Sequence, residues 1–300
     1  MKEARVAETQ AMSDVNAQLA AMRPKLHRYL ARMVGSAIDG EDVLQDALMK
    51  AVVARPEAGG IGNLEGWLFR IAHNTALDFL RRRARQEALF SSDEVDMAAD
   101  QLDAVESRQI AATSLRTFMR LPVTQRASVI LMDVLGCSMQ EVCDIMDASL
   151  PAVKAALHRG RAQLRALADE PDDAPRPALS DADRARLNAY VTSFNARDFD
   201  AIRAMIADDV RLELVNKLRL NGKAEVSHYF GNYSGVHDWR LAPGMVDGRP
   251  AILVLDPSAP TAPPKYFMLL AWSVDKVATI RDFRYAAYVL EGAECVIQSA

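Results

Sequence analysis

Residues Ser138–Leu167 read SMQEVCDIMDASLPAVKAALHRGRAQLRAL, and this stretch decides how the first half of the chain folds. It divides into two short helices separated by a tight turn. In the second helix Val153, Leu157, Gly160, Leu164 and Leu167 recur at steps of three and four, which defines one buried stripe. Lys154, His158, Arg161 and Arg165 follow the same steps on a neighbouring face, with no acid between them. Ser149 is placed to cap this helix, and Pro151 fits its first turn, where a missing N–H costs nothing. A short helix, a turn and a helix with one apolar and one cationic face form the helix-turn-helix pattern, whose second helix enters a DNA major groove. An ordinary amphipathic helix with a solvated basic face shares the pattern, so the segment alone leaves both readings open.

The 300 residues exceed one typical domain and suggest two or three. Half the chain is apolar and a quarter is charged, the balance of a soluble globular protein. No apolar run approaches the roughly 18 residues of a membrane span. The opening MKEARVAETQAMSDV mixes acids and bases without an apolar centre, so no signal peptide and no membrane partner are expected. Cys137, Cys143 and Cys295 lack metal-ligand or redox spacing and fit reduced, buried thiols in a cytoplasmic protein. Neither a metal nor a cofactor is expected.

The net charge of −4 conceals an uneven distribution. Residues 20–88 hold 11 Lys/Arg against 8 Asp/Glu, residues 89–107 hold 6 acids and no base, and residues 108–167 hold 8 bases against 4 acids. Two mildly basic modules therefore flank an acidic tether, and local charge rather than the total decides groove and phosphate contacts.

The first module, 19–88, reads as helical throughout. Leu26, Leu30, Met33 and Val34 form one apolar stripe, and Val43, Leu44, Ala47, Leu48 and Val52 form a second, with Asp39 as the expected cap of that helix. The run RPEAGGIGNL at 55–64 is a loop. The following helix, GWLFRIAHNTALDFLRRRAR, buries Leu68, Ile71, Ala72, Thr75 and Phe79 and projects Arg70, Asn74, Asp78, Arg81 and Arg85. Residues 89–107 read as an acidic linker and 108–168 as the second helical module. The segment DEPDDAPRPALS, 169–180, with three prolines and four acids, is a second linker. From 181 to 300 the pattern changes. Two helices, Asp183–Ala196 and Phe199–Ile206, precede the alternating runs RLELV, AILVL, KYFMLLAWSV and VATIRDFRYAAYVL, with Gly222, Gly244, Gly248 and Asp256–Pro257 in the turns. Helices followed by strands imply an α+β domain with an antiparallel, curved sheet.

The basic modules resemble the two conserved domains of bacterial sigma factors of the extracytoplasmic-function (ECF) group. DGEDVLQDALMKAV followed by WLFRIAHNTALDFLRRRAR is similar to the family's region 2, and LPVTQRASVILMDVLGCSMQEVCDIMDASLPAVKAALHRGRAQL to its region 4. Both lie in the family's order and together cover about half the chain. There are departures. The small Ala47 and Val52 stand where the family often carries a bulky aromatic. Asp147 replaces the usual turn glycine, which it can do by adopting a left-handed backbone at modest cost. Pro151–Ala152 replaces Gly–Thr, and Ala155–Ala156 replaces Ser–Arg, removing one phosphate contact. The 181–300 domain resembles the cone-shaped SnoaL-like fold through FNARDFDAIRAMIADDVRLE and VDKVATIRDFR, without the Gly-rich basic motif of some fused relatives. The expected architecture is thus multidomain: two all-α sigma domains, the second a helix-turn-helix, and a C-terminal α+β cone.

The resemblance implies a non-enzymatic factor that binds core RNA polymerase, directs it to promoter DNA and initiates transcription. Asp42, Gln45, Asp46 and Met49 would dock on polymerase, the alternative being a solvated polar face. Asn74, Arg81, Arg82 and Arg83 would contact the minus-10 element, and the loop at Gly59–Leu64 would receive an extruded base. Asn63 would read a base edge or cap the next helix, and Trp67 would pack in the core, the alternative being a wedge against a base. Ser149, Pro151, Ala152, Lys154, Ala155, His158, Arg159, Arg161 and Arg165 would face the minus-35 element, the later cations mostly touching phosphate. In the C-terminal domain Tyr190, His228, Tyr229, Trp239, Tyr266, Trp272, Asp282 and Tyr285 would line a pocket for a small-molecule ligand, although such aromatics also fill cores and Asp238 and Asp282 also suit a surface. The domain would regulate the sigma modules by ligand sensing or by packing on them. A one-component DNA-binding regulator and an isomerase- or cyclase-like enzyme with a helical appendage are the rival readings.

Overall fold

The first helix, α1 (Lys2–Val34), ends because Gly35 takes a left-handed φ of +80° and returns its N–H to the Ala31 carbonyl at 2.8 Å. The computed structural model describes residues 2–54, 62–88, 114–168, 178–231, 233, 235–259 and 261–298. They fall into two compact units divided between Asp172 and Asp173. The linkers expected at 89–107 and 169–180 and the helix expected to resume at Arg108 lie wholly or mostly outside the described residues, as does half of the Gly59–Leu64 loop, 59–61.

In the first unit α1 packs against α2 (Ala37–Val53) and α3 (Leu64–Ala88). Ser36, not Asp39, caps α2: its Oγ accepts from the Asp39 N–H at 3.2 Å, so Asp39 falls inside the first turn. The expected stripe of α2 is buried through Leu48, but Val52 is 64% exposed. Ala51 in the same turn is still buried, so Val52 is exposed because it turns away from the neighbouring helices, on the side of Met49 and Val53. Gly40 lets the backbones of α1 and α2 meet, since a Cβ there would lie 2.7 Å from the Ala31 Cα. Behind α3 the Tyr29 hydroxyl bonds His73 Nδ1 at 2.6 Å in the core. Burial holds the His73 imidazole down at about 4, so it is neutral at pH 7.

The rest of this unit comprises α4 (Leu115–Met119), α5 (Val123–Val129), a π-helical turn (Ile130–Val134), α6 (Met139–Met146) and α7 (Leu150–Ala168). Helix α6 opens with a capping box between Ser138 and Glu141. Asp147 closes it at φ 49°, ψ 50°, the left-handed conformation that its substitution for glycine requires. Gly160 seats α7 on α5, where a Cβ would meet Val129 Cγ2 at 2.7 Å. Arg126 of α5 is buried and donates to the carbonyls of Met33 at the end of α1 and of Leu121, the latter at 3.0 Å. It therefore satisfies one carbonyl of the last turn of α1 and fastens α5 to that helix.

The second unit is α+β. Its helices α8 (Asp181–Asn195), α9 (Phe199–Met205) and α10 (Lys223–Gly231) pack with strands β1 (Ile206–Leu214), β2 (Leu218–Asn221), β3 (Arg240–Val246), β4 (Arg249–Leu255), β5 (Tyr266–Ser273), β6 (Lys276–Asp282) and β7 (Cys295–Ile297). Asp198 caps α9 through the Ala201 N–H at 2.9 Å. The strand order is β2-β1-β6-β5-β4-β3-β7. The sheet is not wholly antiparallel: β1 and β6 run parallel, because the chain traverses β2–β5 and the intervening helix before β6 returns beside β1. Register shifts within the β1–β6 and β5–β6 pairs bend the sheet around one aromatic-rich core. Gly244 lies within β3 rather than in a turn; a Cβ there would meet the Val296 carbonyl oxygen at 2.5 Å, so β7 can pair closely alongside it. The run expected as a strand over 277–290 leaves the sheet after Asp282 and makes a 3-10 turn at Ala287–Leu290.

Candidate nucleic-acid interface

Helix α7 sorts its cations by environment. Lys154 and Arg159 are exposed, as are Ser149, Pro151 and Ala152 at its leading end. Ala155, His158 and Arg165 are half-buried, and His158 Nε2 finds no hydrogen-bond partner. Arg161 is different. Its Nε and Nη2 grip both carboxylate oxygens of Asp133 at 2.9 and 2.5 Å, and the Asp133 side chain is only 3% exposed. A bidentate pair to a buried carboxylate is a scaffold contact. The Arg161 guanidinium thus neutralises the buried acid of the π-helical turn behind α7, which weighs against its expected service to phosphate. Its apolar stripe is buried as far as Leu164 and half-buried at Leu167.

On α3 the side chains of Asn74, Arg81, Arg82 and Arg83 are all exposed. Arg82 Nε touches the Asp78 carbonyl at 3.3 Å and Arg81 the Asp78 carboxylate at 3.4 Å, both weak local contacts that solvent or phosphate can replace. Asn63 is exposed, but its Oδ1 accepts from the Gly66 N–H at 2.9 Å and so is committed to opening α3. Trp67 is half-buried rather than fully in the core.

Helix α2 presents Asp46 and Met49 to solvent, with Asp42 and Gln45 half-buried beside them. Met49, Val52 and Val53 are 69%, 64% and 87% exposed, an apolar edge on a helix whose opposite face is core. Spacing i, i+3, i+4 was the signal for that edge, and it also fits an inward stripe. Asp46, Met49 and Lys50 of α2 share a cavity of about 540 Å³ with Asp78, Arg82 and Arg85 of α3, bridged by Lys50 and Asp78 at 3.5 Å. Sequence reasoning placed these two sets on separate helices and did not place Lys50 in either.

In the second unit the expected pocket residues only partly converge. Asp282 is buried, not superficial. It accepts from the hydroxyls of Tyr233 at 3.2 Å and Tyr229 at 3.3 Å and from the Arg284 N–H at 2.8 Å. Burial raises its pKa despite those bonds. Tyr190, Trp239 and Tyr266 belong to the same core, and Tyr190 Oη and Trp239 Nε1 are buried without a hydrogen-bond partner. Phe194 packs edge-on against Tyr233 and Trp239, with centroids 5.4 and 5.1 Å apart, and fills the centre. His228 lies on the exposed side of α10 and Tyr285 is 50% exposed beyond β6, so neither joins the cluster. Trp272 is half-buried under the Arg186 guanidinium, and Asp238 is exposed. Tyr233, which the sequence did not single out, is the link between Asp282 and Tyr229.

Among the described residues no group of three or more His, Cys, Asp or Glu is placed to hold a metal ion, and no helix is long and apolar enough to cross a membrane. Residues 19–86 match sigma-70 region 2 and residues 115–164 match sigma-70 region 4. The chain is 35% identical to the ECF RNA polymerase sigma factor SigM of Mycobacterium tuberculosis over 48% of this chain and 71% of that protein. Its similarity to SigG of the same organism, another ECF RNA polymerase sigma factor, is 27% identity over 90% of this chain and 81% of SigG. Among solved structures, the extracytoplasmic-function sigma factor SigJ of M. tuberculosis aligns over 89% of this chain and 95% of its own, with 17% identity and a TM-score of 0.35.

Proposed function

Because the chain belongs to the ECF RNA polymerase sigma factors, we propose that α2 carries its contact with core polymerase, α3 its contact with the minus-10 element and α7 its contact with the minus-35 element. The protein directs core RNA polymerase to promoter DNA and initiates transcription; it is not itself an enzyme. Acting on polymerase places it in the cytoplasm. The observation that carries the residue assignment is that both matched regions keep exposed cations on one helix, Arg81–Arg83 on α3 and Lys154 with Arg159 on α7. Phosphate attraction needs such solvent-facing cations, whereas a cation committed to a buried acid contributes little. Region 2 also accounts for the first module, which a one-component regulator would leave idle.

The C-terminal unit is read as the regulatory part. The Asp282–Tyr229–Tyr233 cluster and the unpartnered Tyr190 and Trp239 atoms support a small polar ligand as its signal, and packing on the sigma domains is the other route. In promoter-dependent transcription with core polymerase, Asp46→Lys with Met49→Ala should reduce co-elution with polymerase. Arg82→Ala with Arg83→Ala should preserve co-elution and lower transcript yield. Co-elution undiminished by the first pair, or yield undiminished by the second, would refute the assignment. Deleting 180–300 should change transcription; unchanged output would refute the regulatory reading.

A further inference from the structure

The leading surface of α7 has an unusual chemistry for a reader of bases. Its exposed side chains are Ser149, Leu150, Pro151, Ala152 and Lys154, with Ala155 half-buried behind them. Leu150 is 44% exposed, a large apolar side chain standing where the helix-turn-helix geometry brings protein closest to the groove floor. Leu, Pro and Ala carry no side-chain donor or acceptor, and proline also lacks a backbone N–H. The pairings that read guanine and adenine through two hydrogen bonds require Arg or Lys, and Asn or Gln. No Asn or Gln stands on this surface. Gln163, the sole amide side chain of α7, donates to the Arg120 carbonyl at 3.0 Å on the far side of the domain. Arg161 is held by Asp133. Among the features that base pairs display in the major groove, the one an apolar side chain reads is the C5-methyl group of thymine.

We propose that this protein selects its minus-35 element chiefly through thymine methyl groups packed against Leu150, Ala152 and Ala155, with Lys154 and Arg159 supplying phosphate contacts that are indifferent to sequence. The proposal rests on the reading of α7 as the minus-35 helix and adds what that helix recognises. The small side chains of Ala152 and Ala155 leave room for the methyl group, whose place a longer side chain would fill.

The test uses the full-length protein bound to core polymerase and a duplex enriched by that complex from a random 20-base-pair library. Each thymine of the enriched element is replaced singly by deoxyuridine, which removes the methyl and leaves every hydrogen-bonding group. One or more positions should lose about fourfold in affinity, the worth of one buried carbon. The loss should shrink in Leu150→Ala or Ala152→Gly, both exposed positions whose replacement leaves the fold intact. Replacing a cytosine with 5-methylcytosine where it takes the place of a sensitive thymine should recover part of the loss. An element without thymine, or an affinity indifferent to every deoxyuridine, would overturn the proposal. So would a methyl dependence undiminished in both variants. Failure to enrich any duplex, while polymerase still binds, would instead overturn the minus-35 reading of α7 and the proposal with it.

Discussion

Helices α3 and α7 are both basic, yet they use their charge differently. Arg81, Arg82 and Arg83 stand on the last turns of α3, where residues 81–86 are all exposed, while Arg70 near its start donates to the Asp144 carbonyl at 2.9 Å. Those of α7 stand on a helix packed along most of its length, and its cations divide between solvent and scaffold. A count of positive residues rates the two faces alike. Availability separates them, since a cation that neutralises a buried acid is already committed. The scaffolds differ too: a neutral Tyr29–His73 pair lies behind α3 and a charged Arg161–Asp133 pair behind α7.

Removing a scaffold partner should produce the largest effect. Arg161→Ala leaves Asp133 buried and unpaired, which should cost about 3 kcal/mol of stability. The loss should appear as a lowered midpoint of urea unfolding. An Arg161→Ala protein of unchanged stability with a reduced salt dependence of DNA binding would return that residue to the phosphate face. Acidification tests the other scaffold. His73 titrates at about 4 in the folded chain against 6.5 for the free side chain, so the unfolded chain binds the extra proton between those values. No penalty exists above about pH 6.5. Stability falls as pH drops below it, reaching a loss of roughly 3 kcal/mol once the pH is below about 4. Unfolding at pH 7 and 5 should show the trend, and His73→Asn should flatten it. A slope unaltered by His73→Asn would place the titration elsewhere.

The solvent-facing cations should show the opposite signature. Lys154→Ala should leave stability unchanged and weaken DNA binding evenly across sequences. The slope of log affinity against log salt should fall by about 1. A sequence-dependent loss would mean that Lys154 reads a base. The smallest expected effect is at Val52, which belongs to the exposed edge of α2. Val52→Ser should change stability by less than about 0.5 kcal/mol. A loss of the size seen for core residues would put Val52 back in the stripe.

Much of the first unit was legible in sequence because helices advertise their inner faces at a fixed period. Leu26, Leu30, Met33 and Val34 are buried as expected, and so are Val43, Leu44, Ala47 and Leu48. The period overreached at Val52, which turns outward beside a buried Ala51, and at Ile71, Phe79 and Leu167, which are only half-buried. The left-handed Asp147 followed from the turn that a helix-turn-helix demands. In the second unit the helices and longer strands could be read, but β3, with its Pro243 and Gly244, looked like a turn. Pairing with β4 and β7 over its whole length is what makes it a strand. Nothing local marks Asp282 as buried, because aspartate next to arginine in a strand commonly faces water. Tyr229 reaches it from α10, and Tyr233 from the turn just past that helix, about fifty residues away in the chain.

The sequence by itself determined the two helical modules, the turn between α6 and α7, and the kinds of residue each face presents. Those properties depend on spacing and on backbone preferences, which act over a few residues. Tertiary structure alone decided which charges are free. Arg161 meets Asp133 across 28 positions, Arg126 meets the end of α1 across 93, and Asp282 meets its tyrosines across 49 and 53. Pairing and burial are properties of neighbours in space, and a charge becomes scaffold or contact only when the fold has chosen those neighbours.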